Sequence, residues 1–170
     1  MDAFPIAEEC SDSHKILFNA LEGTNAHLKP EVVLEGLTAR VAGQEVPGSP
    51  YTIWQLLLHL NYWQDRFMKN FLNQTVRPVA HAALGWSCDK APESETALQK
   101  EIARFIKSLD KVKELLDDPT TEFVEASGGY GSGYDAIQSM ASHCSYHLGQ
   151  IMLLRQLLSA YPPPSGGFVW

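Results

Sequence analysis

The sequence has only three cysteines, Cys10, Cys88 and Cys144, and no two are spaced as C-x-x-C. An odd, unpatterned set offers neither a disulfide framework nor a zinc ribbon, so reduced thiols in a cytoplasmic protein are expected. Basic residues are also scarce: 13 Lys and Arg stand against 20 Asp and Glu, for a formal net charge of -7, and no basic cluster interrupts the balance. A duplex binder needs a Lys/Arg footprint to displace counterions, which excludes nucleic acid as a partner. The same shortage excludes an anionic membrane surface. No apolar run approaches the roughly 20 residues that span a bilayer; the richest, residues 53–58 and 151–154, soon meet Arg66 and Arg155. The acidic N-terminal stretch lacks a basic region before an apolar core, so no signal peptide is expected. Clean period-2 alternation, internal repeats and low-complexity tracts are missing as well.

What remains is helical. With 170 residues, 45% hydrophobic and 19% charged, the chain suits one domain, residues 1–170, with a real core. A first helix is expected from about residue 11 to 27, capped by Ser11 or Ser13, with Ile16, Leu17, Ala20 and Leu21 as its buried stripe. Pro30 suits the first position of a short helix to about Leu37. Residues 42–50, with two glycines and two prolines, read as a loop. A second long helix follows Pro50 and runs to about Asn73, with Ile53, Leu56, Leu57, Leu60, Trp63, Phe67 and Phe71 inward. Ser94 opens a third, whose apolar face carries Ala97, Ile102, Phe105, Ile106, Leu109, Val112 and Leu116, and Pro119 ends it. A fourth spans about 134–160 and stops before Pro162-Pro163-Pro164. The fold class is thus all-α, a four-helix bundle. The irregular link of about 20 residues between the second and third helices is long enough to cross the bundle and leave them parallel.

The chemistry lies in three histidines. His143 and His147 are four apart, which stacks both imidazoles on one helix face and lets two nitrogens close on one metal. At roughly 100° per residue they share the stripe of Met140, Ile151, Leu154 and Leu158, inside the core rather than on the wet side. His59 projects with Thr52, Leu56 and Trp63 on the second helix and also points inward. Buried imidazoles need partners for their polar nitrogens, and one shared metal serves all three more economically than separate partners. The pattern lacks the glutamate of H-E-x-x-H proteases, because position 144 is Cys, and the Glu-x-x-His of di-iron bundles. A single divalent metal remains, with Zn, Ni, Co, Mn and Fe all open.

Residues 51–55 (Tyr-Thr-Ile-Trp-Gln) through His59 and Trp63 resemble the second helix of the DinB/YfiT-like superfamily. Residues 141–151, Ala-Ser-His-Cys-Ser-Tyr-His-Leu-Gly-Gln-Ile, resemble its metal-binding fourth helix, and the closing Pro-Pro-Pro-Ser-Gly-Gly-Phe-Val-Trp is similar to tails in that family. The resemblance covers nearly the whole chain. It implies an up-down-down-up four-helix bundle and a metal on one second-helix and two fourth-helix histidines, here His59, His143 and His147. It further implies a homodimer. Some relatives are metal-dependent transferases or isomerases that use a low-molecular-weight thiol such as bacillithiol or mycothiol.

Other residues carry two readings each. Gln150 either orients a ligand or metal-bound water, as outer-shell groups do, or is a polar residue at the bundle edge. Arg66 either grips a carboxylate of a thiol or substrate or makes a surface salt bridge. Trp63 either walls the pocket or packs in the core. Cys144 projects away from His143 and is expected to be a buried apolar cysteine rather than a nucleophile. The run Gly128–Gly133 is no phosphate loop and reads as a lid or a hinge. His14, His27 and His81 are expected at the surface. The function expected is metal-dependent thiol S-transfer to a small electrophile. A metal-dependent hydrolase and a non-catalytic, metal-stapled dimeric bundle are the alternatives. No catalytic residue beyond the metal ligands is assigned.

Overall fold

The computed structural model describes residues 6–23, 26–72, 74, 79–118, 120–121, 123 and 131–167. Among these it is all-helical, without a strand: α1 Ile6–Glu22, α2 Pro30–Leu34, α3 Ala39–Ala42, α4 Ile53–Phe71, α5 Glu95–Asp117 and α6 Gly133–Leu157, with a 3-10 turn at Ala82–Gly85. The four long helices are α1, α4, α5 and α6. Both α1 and α4 pack against α5 and α6, an arrangement compatible with a four-helix bundle. One apolar cluster runs through it, with Leu57, Leu60, Leu98, Phe105, Leu109 and Ile151 fully enclosed. No described helix is long and apolar enough to cross a membrane.

Three long helices start where the sequence supplies a cap. Thr52 and Gln55 form a reciprocal capping box on α4, which satisfies two otherwise orphaned N–H groups. Ser94 accepts from Ala97 N–H at 3.1 Å on α5, and Ser132 from Asp135 N–H at 3.2 Å on α6. The α4 box also reaches across the chain. Thr52 Oγ1 donates to the Lys90 carbonyl at 2.7 Å, and Gln55 Nε2 donates to the Ser87 carbonyl at 2.8 Å. The end of the long α4–α5 link is therefore anchored to the start of α4, close to His59.

The first helix differs most from expectation. It begins at Ile6, so neither Ser11 nor Ser13 caps it, and it ends at Glu22 rather than near residue 27. Gly23 follows with φ +75°, the left-handed conformation that glycine adopts freely and that terminates a helix. Its buried stripe is His14, Leu17 and Leu21, whereas Ile16 is 67% exposed and Ala20 also faces solvent. His14, expected at the surface, is buried. Its Nδ1–H donates to the Leu116 carbonyl at 3.0 Å, one of the unpaired carbonyls in the last turn of α5. Its ring packs on Phe123 and Tyr134. A histidine so bonded can occupy a core position without stranding a polar atom. His27 is half-buried, and His81 is exposed as expected.

Smaller differences follow from local chemistry. Helix α2 stops at Leu34 instead of Leu37, and Gly36 takes φ +67° beyond it. The four-residue α3 was not expected; Thr38 caps it by accepting from Val41 N–H. Helix α6 ends at Leu157, before the prolines, where Arg155 turns inward. Arg155 donates to the Val33 carbonyl at 2.6 Å and to the Ala160 carbonyl at 3.0 Å, tying the ends of α2 and α6 together. Pro119, residues 124–130 of the glycine-rich stretch and the closing Phe168-Val169-Trp170 lie outside the described residues, as does the side chain of Phe71.

Gly149 is a helix-interior glycine on α6 whose missing Cβ would meet no atom within 4 Å. Glycine in such a position is about 0.5–1 kcal/mol worse than alanine. Gly149→Ala should therefore raise stability by about that amount, read as a higher midpoint in urea with an unchanged slope.

Candidate metal centre

His59 comes from the middle of α4, and His143 and His147 from successive turns of α6, so the site lies between two packed helices. His59 and His147 are 5% and 6% exposed, and His143 is half-buried. One ring nitrogen from each falls within 4.8 Å of the others. The Nε2 atoms of His59 and His143 are 3.3 Å apart; two ligands at 2.0–2.1 Å from one tetrahedral ion sit roughly 3.4 Å apart.

Hydrogen bonds determine which nitrogens face inward. The Gly85 carbonyl accepts from His59 Nδ1–H at 2.9 Å, and Gln150 Oε1 accepts from His147 Nδ1–H at 2.7 Å. Both rings must then carry their proton on Nδ1 and leave Nε2 as a lone pair, the tautomer in which such partners hold metal-binding histidines. His143 cannot resolve the resulting crowding. A proton on its Nε2 serves one neighbouring lone pair at most, and its Nδ1 is buried with no hydrogen-bond partner among the described residues. A cation between the three rings serves all the inward lone pairs at once, so the residues present fit a divalent metal.

Aromatic rings enclose the cluster. Trp86 stacks on His59 with centroids 3.7 Å apart and on Tyr51 at 3.5 Å. Trp63 stands edge-on to His59 and His143 at 6.2 and 6.4 Å, so it walls the site as well as packing on Phe67. Arg66 lies over the Tyr62 and Trp63 rings, 5.8 Å from each centroid. Gly85 belongs to the same wall, because a Cβ there would lie 2.8 Å from Trp63 Nε1.

The sequence pointed to His59, His143, His147, Gln150 and Trp63, and the structure places all five in one locality, with Arg66 over the Tyr62 and Trp63 rings. It gave no sign of Gly85, Trp86 or Tyr51 as parts of the site. Gly85 and Trp86 lie in the irregular link, where no helical period says which way a residue points. The one available signal was that a tryptophan in an aperiodic link must lay its indole on something nearby.

Burial lowers the basicity of all three rings. His143 is pushed down to about 4 by burial, with the neighbouring rings His147 and His59 adding to the fall. Burial also lowers His59 and His147, partly offset by the bonds to Gly85 and Gln150. The rings are therefore neutral, and ready as ligands, at neutral pH. Below the ordinary value of 6.5 the unfolded chain holds more protons than the folded one, so stability must fall as pH drops through that value. The contribution of His143 to this fall is complete at about 4, where the folded ring also takes up its proton. Metal-free protein should thus melt at progressively lower temperature from about pH 7 to about pH 4.5, and His143→Ala should flatten that profile. Cys144 is buried, its thiol pushed up to about 12 by burial, and Gln64 Nε2 donates to its sulfur at 3.7 Å; it is packing, as expected.

The family model of the DinB superfamily matches residues 18–151. The chain belongs to the DinB superfamily. The match takes in all three histidines, Gln150 and both anchoring segments of the long link. No curated protein and no solved structure gives a significant match to this DinB-superfamily chain.

Proposed function

We propose that the chain is a divalent-metal-dependent enzyme that transfers a low-molecular-weight thiol to a small electrophilic molecule. The observation that carries this reading is the ligand set: three neutral imidazoles, with no fourth His, Cys, Asp or Glu joining them among the described residues. Structural zinc sites are normally closed by four protein ligands, whereas catalytic ones keep a position open. A divalent ion in this site supplies Lewis acidity, lowering the pKa of a thiol or water at its open position. The chain's own residues hold and orient: Gly85 and Gln150 keep two imidazoles in the ligating tautomer, and Trp86 and Trp63 shield them from solvent. Among the described residues no carboxylate joins the cluster to serve as a general base. That favours a thiol, which ionises more readily than water and is the better nucleophile once ionised, and so transfer over hydrolysis. Arg66 is assigned to an anionic group of the thiol.

The same reading includes an up-down-down-up bundle in a single domain, a homodimer and a cytoplasmic home, where small thiols stay reduced. Zn, Ni, Mn, Co and Fe all suit the ligands. One observation favours a non-catalytic staple instead: the ligands come from both α4 and α6, so an ion also ties two helices. Metal-loaded protein assayed with a panel of thiols and electrophiles separates the two. Turnover is expected in wild type and should vanish in His59→Ala. Turnover that persists unchanged in His59→Ala excludes the metal mechanism. A metal that raises the melting temperature without any turnover across the panel favours the staple.

A further inference from the structure

A cleft of about 360 Å³ lies between the loop at residues 46–50 and the C-terminal half of α6, and its lining includes Gln150, the partner of His147. No charged side chain lines it. Leu153, Leu154 and Leu157 form its α6 wall, and Leu153 and Leu157, 55% and 60% exposed, leave apolar surface open along it. The rim is held in shape, since Ser49 N–H donates to the Val46 carbonyl at 3.0 Å and Ser49 Oγ donates to the Tyr51 carbonyl at 2.7 Å.

One lining residue, Gln150, bonds a histidine of the metal centre, and two others lie near the centre in the fold. Tyr51 stacks on Trp86, which stacks on His59. Leu56 lies one turn before His59 on α4. Gln150 spends its Oε1 on His147, and this bond fixes which end of the amide is left over. The Nε2 donors have no partner among the described residues, in a wall that is mostly apolar but also carries Ser49 and Tyr51. Small-molecule sites have this character: concave, mostly apolar, of roughly 300–1,000 Å³, with a few placed polar groups.

We infer that this cavity is the substrate's binding site, and that it takes an uncharged molecule with a compact aliphatic or single-ring group and a carbonyl-type oxygen. Leu153, Leu154, Leu157 and Leu56 enclose the apolar group. Gln150 Nε2–H donates to the oxygen, placing the polar end of the molecule beside His147. The inference rests on the proposed function only for what happens to the molecule afterwards; the binding itself stands on the cavity. A second copy of the chain is the other conceivable cover for Leu153 and Leu157. The concavity and the single amide donor favour a small molecule, because a flat helix-to-helix contact needs neither.

The test uses a homologous series of 2-alkanones against the full chain, with and without added zinc, by titration calorimetry. Affinity should rise up to roughly fourfold per added methylene, the fold-change of about 0.8 kcal/mol per buried CH₂, and stop rising once the cavity is full. Alkylammonium ions of the same length, which only donate, should bind at least roughly tenfold more weakly. Leu157→Trp, a change at an exposed position, should fill the cavity and remove ketone binding while leaving zinc retention intact. Affinity independent of chain length, equal binding of the ammonium series, or unchanged binding in Leu157→Trp would each overturn the inference. So would absent ketone binding together with a change of oligomeric state in Leu157→Trp by light scattering, which assigns the face to a second copy. Zinc retained without ketone binding defeats the inference and leaves the metal reading standing; ketone binding in protein that retains no metal does the reverse.

Discussion

Replacing His147 with alanine should strip the proposed metal from the protein while leaving the helices folded. The residue supplies one of three ligands, and the remaining pair would come from different helices, His59 on α4 and His143 on α6. Changes to groups that merely orient a ligand cost roughly 10–100-fold in metal affinity, and loss of the ligand itself should exceed that range. The fold should survive because the core does not depend on the imidazole: Leu148, Cys144 and Ile151 around it on α6 are themselves buried. Competition titration with a chelator reads the affinity, and far-ultraviolet circular dichroism reads the helices. Unchanged affinity in folded His147→Ala would place the ion elsewhere.

Gly85→Val should be the most damaging single change outside the ligands. The glycine is needed for space, not for a left-handed backbone. Its absent Cβ would fall 2.8 Å from Trp63 Nε1, closer than real side chains approach, and a tight 3.3 Å from Tyr62, and an indole packed against its neighbours has little room to retreat. The turn must shift instead. That shift carries away the carbonyl that holds His59 Nδ1–H and the Trp86 ring that covers His59. A histidine released from its tautomer-fixing partner loses roughly 10–100-fold in metal affinity. Gly149→Ala, which meets nothing, is the matched control. Affinity equal to wild type in Gly85→Val would show that the link does not position His59.

These two expectations also mark what the sequence could and could not disclose. His143 and His147 are legible because a helix converts a spacing of four into a shared face, and His59 because it interrupts an apolar stripe. The Ser94 cap was legible for a similar reason: it acts on an amide within three residues of itself. The α1 register was not. Ile16 and His14 exchange places because the Leu116 carbonyl, about a hundred residues away in sequence, makes the imidazole the better buried group. The Gly85–Trp86 wall was equally hidden. Its position depends on Thr52 and Gln55 holding Lys90 and Ser87, a long-range bond between a helix start and an aperiodic segment.

The metal-binding claim is most directly tested by elemental analysis of the wild-type protein after supplementation with zinc, nickel, manganese, cobalt and iron in turn and removal of the excess. Three neutral imidazoles with inward lone pairs predict about one ion per chain for at least one of these metals. Protein that retains none of them would contradict the account.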